Sequence, residues 1–275
     1  MQIEQQIVKD YLEFVSVEDI KKNYKIGYNR MKAILIANNV WDLSRSVYMA
    51  KQANIHLRKV KENPFTDLNN PIVQYWLGVL AADGSIYKTK ISLSSKYLYF
   101  LEKFKLFCKS DNVIMKMYSK QFDCYYYSIS FGNYEIADYL KSLGIVENKT
   151  ETLKINFKFG WNFLQGFIDG DGSVVYHKRK KGINNFSCCI SMVTKSDIFA
   201  EQLVSFLREN DIHCRHYKYK LNLIHITNFI NCRNLLQFIY KDRYICLEHK
   251  YEKAQLIRNY KLKNTLNSGN YDQES

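Results

Sequence analysis

Asp83 and Asp171 are the residues of this chain best placed to do chemistry. They stand in "YWLGVLAADGSIY" (residues 75–87) and "WNFLQGFIDGDGSVVY" (residues 161–176). In both stretches an apolar, helix-like run ends at the acid, a glycine follows, and a β-branched segment begins at once. A helix C-terminus carries partial negative charge, so an acid placed there is unfavourable by itself. Two such acids brought together with helix-end carbonyls would repel unless a cation lay among them. Oxygen donors select a hard divalent ion, and Mg²⁺, or another such as Mn²⁺, is the choice for phosphate chemistry.

The same runs say how the acids could meet. Gly78-x-x-x-Ala82 and Gly166-x-x-x-Gly170 put small residues four apart on one helical face. Two such faces can pack backbone to backbone, which makes Gly78, Ala82, Gly166 and Gly170 the expected interface between two halves and sets Asp83 beside Asp171. Gly84 and Gly172 let the chain turn into a strand. A lone Asp-Gly commonly does no more than end a helix. Here the text recurs in register: Gly78 and Gly166 are 88 residues apart, as are Asp83 and Asp171.

The surrounding pattern also runs twice. The first copy reads helix 71–82, strands near 84–94, helix 96–109, strands near 113–119 and 123–131, and helix 133–143. The second reads helix 161–170, a longer strand pair over 172–194, helix 197–209, strands near 212–219 and 222–229, and helix 231–240. "DCYYYSISF" and "LNLIHIT" alternate as half-buried strands do. The spacing predicts an α+β chain of two pseudo-symmetric αββαββα half-domains. Later landmarks drift, with Lys149 and Lys250 101 residues apart. The additional 13 residues fit mostly in the second copy's first hairpin, whose tip reads "HKRKKGINN".

Ahead of the repeat, residues 5–40 read as a small all-α unit. Ile7, Tyr11 and Leu12 have helical spacing, Ser16 can cap a helix, and Asp19 stands at capping-box distance. Ile20 and Tyr24 continue the stripe, Lys25-Ile26-Gly27 makes a turn, and Tyr28 to Ala37 forms a helix with Met31, Ile34 and Leu35 inward. This is a helix-turn-helix plan that exposes Asn29, Arg30 and Lys32. The chain divides into a helix-turn-helix-like unit (1–45), a linker (46–70), two half-domains (71–155 and 156–262) and a flexible tail (263–275). Pro71 suits the first turn of its helix.

Composition narrows the class. Hydrophobic content of 47% marks a folded protein. The net charge of +13, from 40 basic against 27 acidic side chains, is that of a polyanion binder or a soluble basic protein. No apolar run approaches a membrane span and "MQIEQQIVKDYLEF" has no signal-peptide core, so the expected setting is cytosol-like, without a membrane partner. The seven cysteines show no C-x-x-C, which argues against a zinc ribbon or a disulfide framework. His213, Cys214 and His216 fall on an expected strand that would send the two histidines to opposite faces, so they read as no metal site. No nucleotide-binding glycine motif occurs.

At the paired motifs, with the helical unit before "NPFTDLNNPIVQYWLGVLAADGSI", the sequence resembles the LAGLIDADG homing endonuclease family. The likeness is to the single-chain two-motif type, and to free-standing phage and bacterial members. It covers roughly residues 71–260. It implies two saddle-shaped sheets on double-stranded DNA, with the motif helices between them. It further implies a monomer that cuts both strands of a long non-palindromic site, in a bacterial or phage-infected cell or an organelle matrix. Asp83 and Asp171 match the catalytic, metal-binding acids, the carbonyls of Ala82 and Gly170 match further metal ligands, and Lys149 and Lys250 match basic residues near the scissile phosphates. Ser94-Ser95 and Lys195-Ser196 match positions that order water. The expected DNA contacts are Lys88, Lys90, Lys116, Lys178, Arg179, Lys180, Lys181, Lys195, Arg215 and Lys218, with Asn29, Arg30 and Lys32 in front. The chain departs from the pattern at Ala81, where the second copy has Asp169, and at Trp76, where a small aliphatic residue is common. The alternatives are an intron maturase that binds RNA on the same fold and a DNA-binding regulator with a retired nuclease body. Retention of both acids and both lysines argues against the regulator.

Overall fold

Residues 2–13, 15, 17–41, 60, 62–146, 149–178, 186–241 and 245–260 are described by the computed structural model. The first three helices, α1 (Gln2–Leu12), α2 (Val17–Tyr24) and α3 (Tyr28–Ala37), close on a core of their own made by Ile7, Tyr11, Ile20, Met31 and Leu35. The Tyr24 hydroxyl donates to Asp10 at 2.6 Å and ties α2 to α1. Lys25 takes a positive φ of 52° in the turn before α3. Leu12, expected inward, is exposed: Ile7 and Tyr11 form the buried seam at spacing four, and the next residue rotates off it. Ser16 lies outside the described residues.

The repeat folds as its spacing predicts. The first half runs α4 (Pro71–Ala82), β1 (Ser85–Tyr87), β2 (Lys90–Ser95), α5 (Leu98–Phe107), β3 (Met115–Ser119), β4 (Cys124–Gly132) and α6 (Tyr134–Ser142). A one-turn helix, α7 (Lys149–Thr152), leads to the second half: α8 (Trp161–Asp171), β5 (Gly172–Lys178), β6 (Phe186–Thr194), α9 (Asp197–Glu209), β7 (Arg215–Lys218), β8 (Asn222–Ile226), α10 (Phe229–Ile239) and α11 (Glu248–Arg258). Each half has one antiparallel four-stranded sheet, in the orders β1-β2-β4-β3 and β5-β6-β8-β7. These are the same order in sequence-equivalent strands, so the fold is α+β with two pseudo-symmetric halves.

Local side chains explain where elements begin. Asn70 accepts from the Ile72 amide at 2.9 Å and caps α4, with Pro71 in the first turn. The Tyr97 amide bonds the Ser95 hydroxyl, so α5 starts at Leu98 rather than at 96. Asn228 caps two amides and starts α10 at Phe229 rather than at 231. The Ile212 amide closes the end of α9 on the Leu207 carbonyl, which holds β7 back to Arg215.

Among the described residues, helices α4 and α8 share the largest helix–helix interface. A Cβ on Gly78 would stand 2.0 Å from the Phe163 carbonyl oxygen, and one on Gly166 would stand 2.0 Å from that of Tyr75. Tyr75 and Phe163 are themselves 88 residues apart, so the two contacts are one contact repeated by a pseudo-dyad. Trp76 does not disturb this axis. It turns away, fully buried, onto Phe100 and Phe104 of its own half, at ring distances of 5.2 and 5.0 Å.

Further along the axis the repeat is no longer symmetric. A Cβ on Gly170 would lie 2.3 Å from the Ala82 Cβ. Two methyl groups cannot share that space, so at most one of the two positions can carry an alanine. Gly170→Ala is expected to destabilise the protein by about 1–3 kcal/mol. Adding Ala82→Gly, which only moves the methyl group across the axis, is expected to recover most of that. Denaturant unfolding of the single and double variants checks it, and additive losses would show that the two positions do not compete.

Candidate active site

The ends of α4 and α8 carry Asp83 and Asp171 to a common location between the sheets. Asp83 caps α4, and Asp171 is the last residue of α8. The Asp83 carboxylate lies 3.1 Å from where a Gly170 Cβ would be, so it rests against the opposite motif helix. Two cavities open there, one for each acid. Asp83 lines the larger, of about 440 Å³, with Ser94, Ser95, Tyr126, Gly170, His249 and Lys250. Asp171 lines the smaller, of about 190 Å³, with Ala82, Leu153, Thr194 and Lys195. Each cavity therefore takes its acid and the end of its inner strand from one half and the small motif residue from the other.

Two lysines, Lys96 and Lys250, line the larger cavity, and Lys250 is the one seated on the helix end. Its ammonium donates to the carbonyls of Ile168, Asp169, Gly170 and Gly172, at 2.7, 2.6, 3.2 and 2.8 Å. Burial pulls its pKa below the usual lysine range, while Asp169, Asp83 and Asp171 pull it back up. A positive charge seated on the carbonyl end of a helix, within the field of three acids, answers the charge problem posed by the sequence. Lys149 opens α7, but its side chain lies outside the described residues.

Asp169 does a different job from its two neighbours. Its carboxylate is buried and accepts from the Tyr75 hydroxyl (2.7 Å), the Tyr240 hydroxyl (3.1 Å) and the Leu247 amide (3.0 Å). Burial raises its carboxyl to about 6, against the lowering effect of those donors and of Lys250. An unfolded carboxyl titrates near 4. Between those values the folded protein holds a proton that the unfolded chain has released, so this group's contribution is full below about 4 and is lost as pH rises through about 6. The two-unit difference corresponds to about 3 kcal/mol. From pH 4 to pH 7 the wild type should therefore lose up to about 3 kcal/mol relative to Asp169→Asn. Urea unfolding of both proteins at the two pH values measures it, and parallel changes would sink the assignment.

The residues at the strand ends divide. Ser94 and Ser95 face the Asp83 cavity, and Lys195 faces the Asp171 cavity. Ser196 does not. It is buried, its hydroxyl donates to the Leu153 carbonyl at 2.6 Å, and it caps α9 through the Phe199 amide. The resemblance had grouped it with residues that order water, but its side chain is consumed in a helix cap.

Strand pairing sorts the basic residues by face. In the first sheet Ile91, Leu93, Ile129 and Phe131 point to the helices, while Tyr87, Lys90, Ser92, Ser94, Tyr126, Ser128 and Ser130 share the other, open face. In the second sheet Val174, Ile190, Met192 and Ile224 are covered, and Ser173, His177, Ser187, Ser191, Arg215, Tyr217 and His225 share the open face. Two expected contacts leave from the wrong side. Lys116 pairs across from Tyr127, on the helix-side face, with its ammonium 4.4 Å from the Tyr125 ring centroid. Lys218 pairs across from buried Asn222, and Asp197 holds its ammonium at 2.5 Å. A strand alternates with period two, so neighbours of a core residue are open and next-but-one residues are not. Counting lysines without that parity misplaces these two. It also misses the hydroxyl-bearing residues and His177 and His225, which alternation against the buried Ile and Val positions could have found.

Lys88 sits exposed at the β1–β2 turn with φ 52°, and Lys90 and Arg215 are exposed on their strands. Asn29 and Arg30 are exposed on α3, whereas Lys32 is half-buried over Trp41, 5.7 Å from the ring centroid. Lys178 ends β5, and its side chain lies outside the described residues, as do Arg179, Lys180 and Lys181. His213 precedes β7, and His216 bonds Asn222 at 2.8 Å. Among the described residues no three of His, Cys, Asp and Glu gather as a metal cluster. A metal at the helix ends would therefore be held by the two aspartates and backbone carbonyls, a hard all-oxygen set that suits Mg²⁺ or Mn²⁺.

The profile of the LAGLIDADG-like domain matches residues 158–241. Among solved structures, the chain is similar to an alanine mutant of I-SmaMI, with 15% identity over 68% of this chain and 90% of that one and a TM-score of 0.50. It is also similar to the meganuclease I-SmaMI bound to uncleavable DNA, with 19% identity over 68% and 88% and a TM-score of 0.49. A third is the LAGLIDADG meganuclease I-AabMI bound to uncleaved DNA, with 13% identity over 68% and 88% and a TM-score of 0.48. A comparison with curated proteins gave no match.

Proposed function

Because the chain carries a LAGLIDADG-like domain in its second half and repeats that architecture in its first, we propose that it is a sequence-specific DNA endonuclease. It cuts both strands by divalent-metal-dependent hydrolysis. The observation that carries this reading is the pair of acid-lined cavities at the joined ends of α4 and α8, each beneath an open sheet face rich in hydrogen-bonding side chains. Asp83 and Asp171, with the carbonyls of Ala82 and Gly170, would hold a divalent ion, which would supply stabilisation of charge on the phosphate and on an attacking water. The hydroxyl of that water adds to phosphorus as one sugar oxygen leaves with a proton. Lys250, and Lys149 in the other half, oppose the charge that develops on the phosphate oxygens.

The open faces read the duplex. Base edges in the major groove are told apart by donors and acceptors, and different side chains select different bases. The first face offers Tyr87, Lys90, Tyr126 and serines, and the second offers His177, Arg215, Tyr217 and His225. The half-sites should therefore differ. The second leading hairpin is also longer, with seven paired positions in β5 against three in β1, and should cover more DNA. One chain holds both acids, so one chain suffices. Selecting cut sequences from a random duplex library with Mg²⁺ should return one long non-palindromic site, bound one to one. No cleavage of any sequence with Mg²⁺ or Mn²⁺, or a palindrome bound by two chains, would overturn the reading.

A further inference from the structure

Strand pairing lets the open faces of the two sheets be compared row by row. In the second sheet Ser173 pairs with Ser191, Ser191 with His225 and His225 with Arg215. These side chains form one row across all four strands, on the open face. In the first sheet the equivalent row is Ser85, Ser92 and Ser130. Ser85 and Ser173 each stand two residues after the acid of their half, which fixes the equivalence. The first row stops at Ser130. There β3 begins only at Met115, opposite Ser128, and the Asn112 side chain takes the Ser130 carbonyl at 2.7 Å. One half therefore ends its row in His225 and Arg215, where the other ends in a serine.

The setting of Arg215 suits recognition. It is exposed, and no ion pair with another described residue holds it. Lys218, on the covered face of the same strand, is by contrast tied to Asp197. The rows on either side are largely apolar: Tyr217, Leu223 and Val193 on one, Val175 and Cys189 on the other. A duplex laid on this face would meet one basic, hydrogen-bonding row between two rows that displace water. An arginine fork matches the O6 and N7 acceptors of guanine. With water displaced, a wrong base leaves the guanidinium donors unpaired, and that cost makes the contact selective. His225 stands about 5 Å away across the strands and supplies a second hydrogen-bonding group at the same level. Serine hydroxyls donate and accept alike, so the first row has no such preference.

We propose that Arg215, with His225 beside it, reads a guanine in the half-site under the second sheet, and that the matching position under the first sheet tolerates any base pair. The inference deepens the endonuclease reading and rests on its DNA-binding part.

The test selects duplexes bound by the full chain from a random library, with Ca²⁺ in place of Mg²⁺, so that preference is read without cleavage. Affinity is then measured for the selected site with each base pair replaced singly. The wild type should favour guanine by about 10-fold or more at one position of one half-site. Arg215→Ala should abolish that preference and leave the preferences at other positions in place. Arg215→Lys keeps the charge but not the fork. It should hold affinity for the replaced duplexes within about 3-fold while losing most of the discrimination, which keeps the test open if Arg215→Ala folds poorly. Ser92→Ala and Ser130→Ala should change affinity by less than about 3-fold on every duplex. A loss in Arg215→Ala that is equal on every duplex would make Arg215 a phosphate contact and overturn the inference, while cutting of the selected site with Mg²⁺ would leave the endonuclease reading standing. A strong base preference that Ser130→Ala removes would overturn it as well. Selective binding that Arg215→Ala relaxes, without cleavage in Mg²⁺ or Mn²⁺, would sustain the inference and remove the nuclease reading. A wild type that binds no duplex would remove both.

Discussion

Replacing Asp83 or Asp171 by asparagine is expected to lower double-strand cleavage by on the order of 10²–10³ while DNA affinity stays within a few-fold. The carboxylates lie at the meeting of two helix C-termini, with Lys250 seated on the carbonyl end of α8, Lys96 on the wall of the Asp83 cavity and Lys195 on that of the Asp171 cavity. An asparagine keeps the shape and one oxygen but removes the charge that draws a divalent ion. Binding should survive because it comes from many phosphate contacts spread over two sheets. Each variant should be assayed for both strand products and for affinity on the selected site. A single variant that cuts both strands at the wild-type rate would show that the acid in question does not serve the reaction.

The second large effect concerns the helix pair. Gly78→Ala and Gly166→Ala each place a methyl group 2.0 Å from a backbone carbonyl oxygen of the opposite helix. A carbonyl in a helix cannot rotate aside as a side chain does, so the helices must separate. Separation opens the interface that also aligns the two cavities. A loss of about 3 kcal/mol or more is expected for each, at the upper end of overpacking effects. Cleavage should fall further than stability alone requires, because an ångström of misplacement at the reacting atoms costs about 100-fold in rate. Thermal unfolding and cleavage of the two variants check this. Near-wild-type melting for either would mean that the helices are not in backbone contact at that glycine.

Much of this was legible in the sequence, for physical reasons that differ from place to place. The glycine spacing in α4 and α8 predicts the pairing because only small residues permit backbone contact, and Gly78 and Gly166 meet each other's helix as expected. Element order follows from two periods, 2 and 3.6, which the strands and helices of both copies keep cleanly. Asp83 and Asp171 stand out because acids are disfavoured at helix ends. What the sequence hides is partnership. Nothing in the text links Asp169 to Tyr75, Tyr240 and Leu247, which come from three other places in the chain. Nor does the lysine count reveal that Lys116 and Lys218 leave from the helix-covered side. Ser196 looks like its neighbour Lys195 in the text, yet it ends up as a cap because α9 starts there.

The asymmetric details on the pseudo-dyad also decide which halves can pair. Two copies of the first half would set Ala82 against Ala82, where there is room for one methyl group only, and would turn two Tyr75 hydroxyls toward alanines. Two copies of the second half would set each buried Asp169 against Phe163, which has no hydroxyl to give. Only the mixed pair satisfies both positions. Discrimination of this kind works by penalising the wrong partner as much as by favouring the right one. During synthesis the first half must therefore wait, with the glycine face of α4 unpaired, until the second half of the same chain arrives. Covalent linkage and interface chemistry both direct each half to the other half of its own molecule.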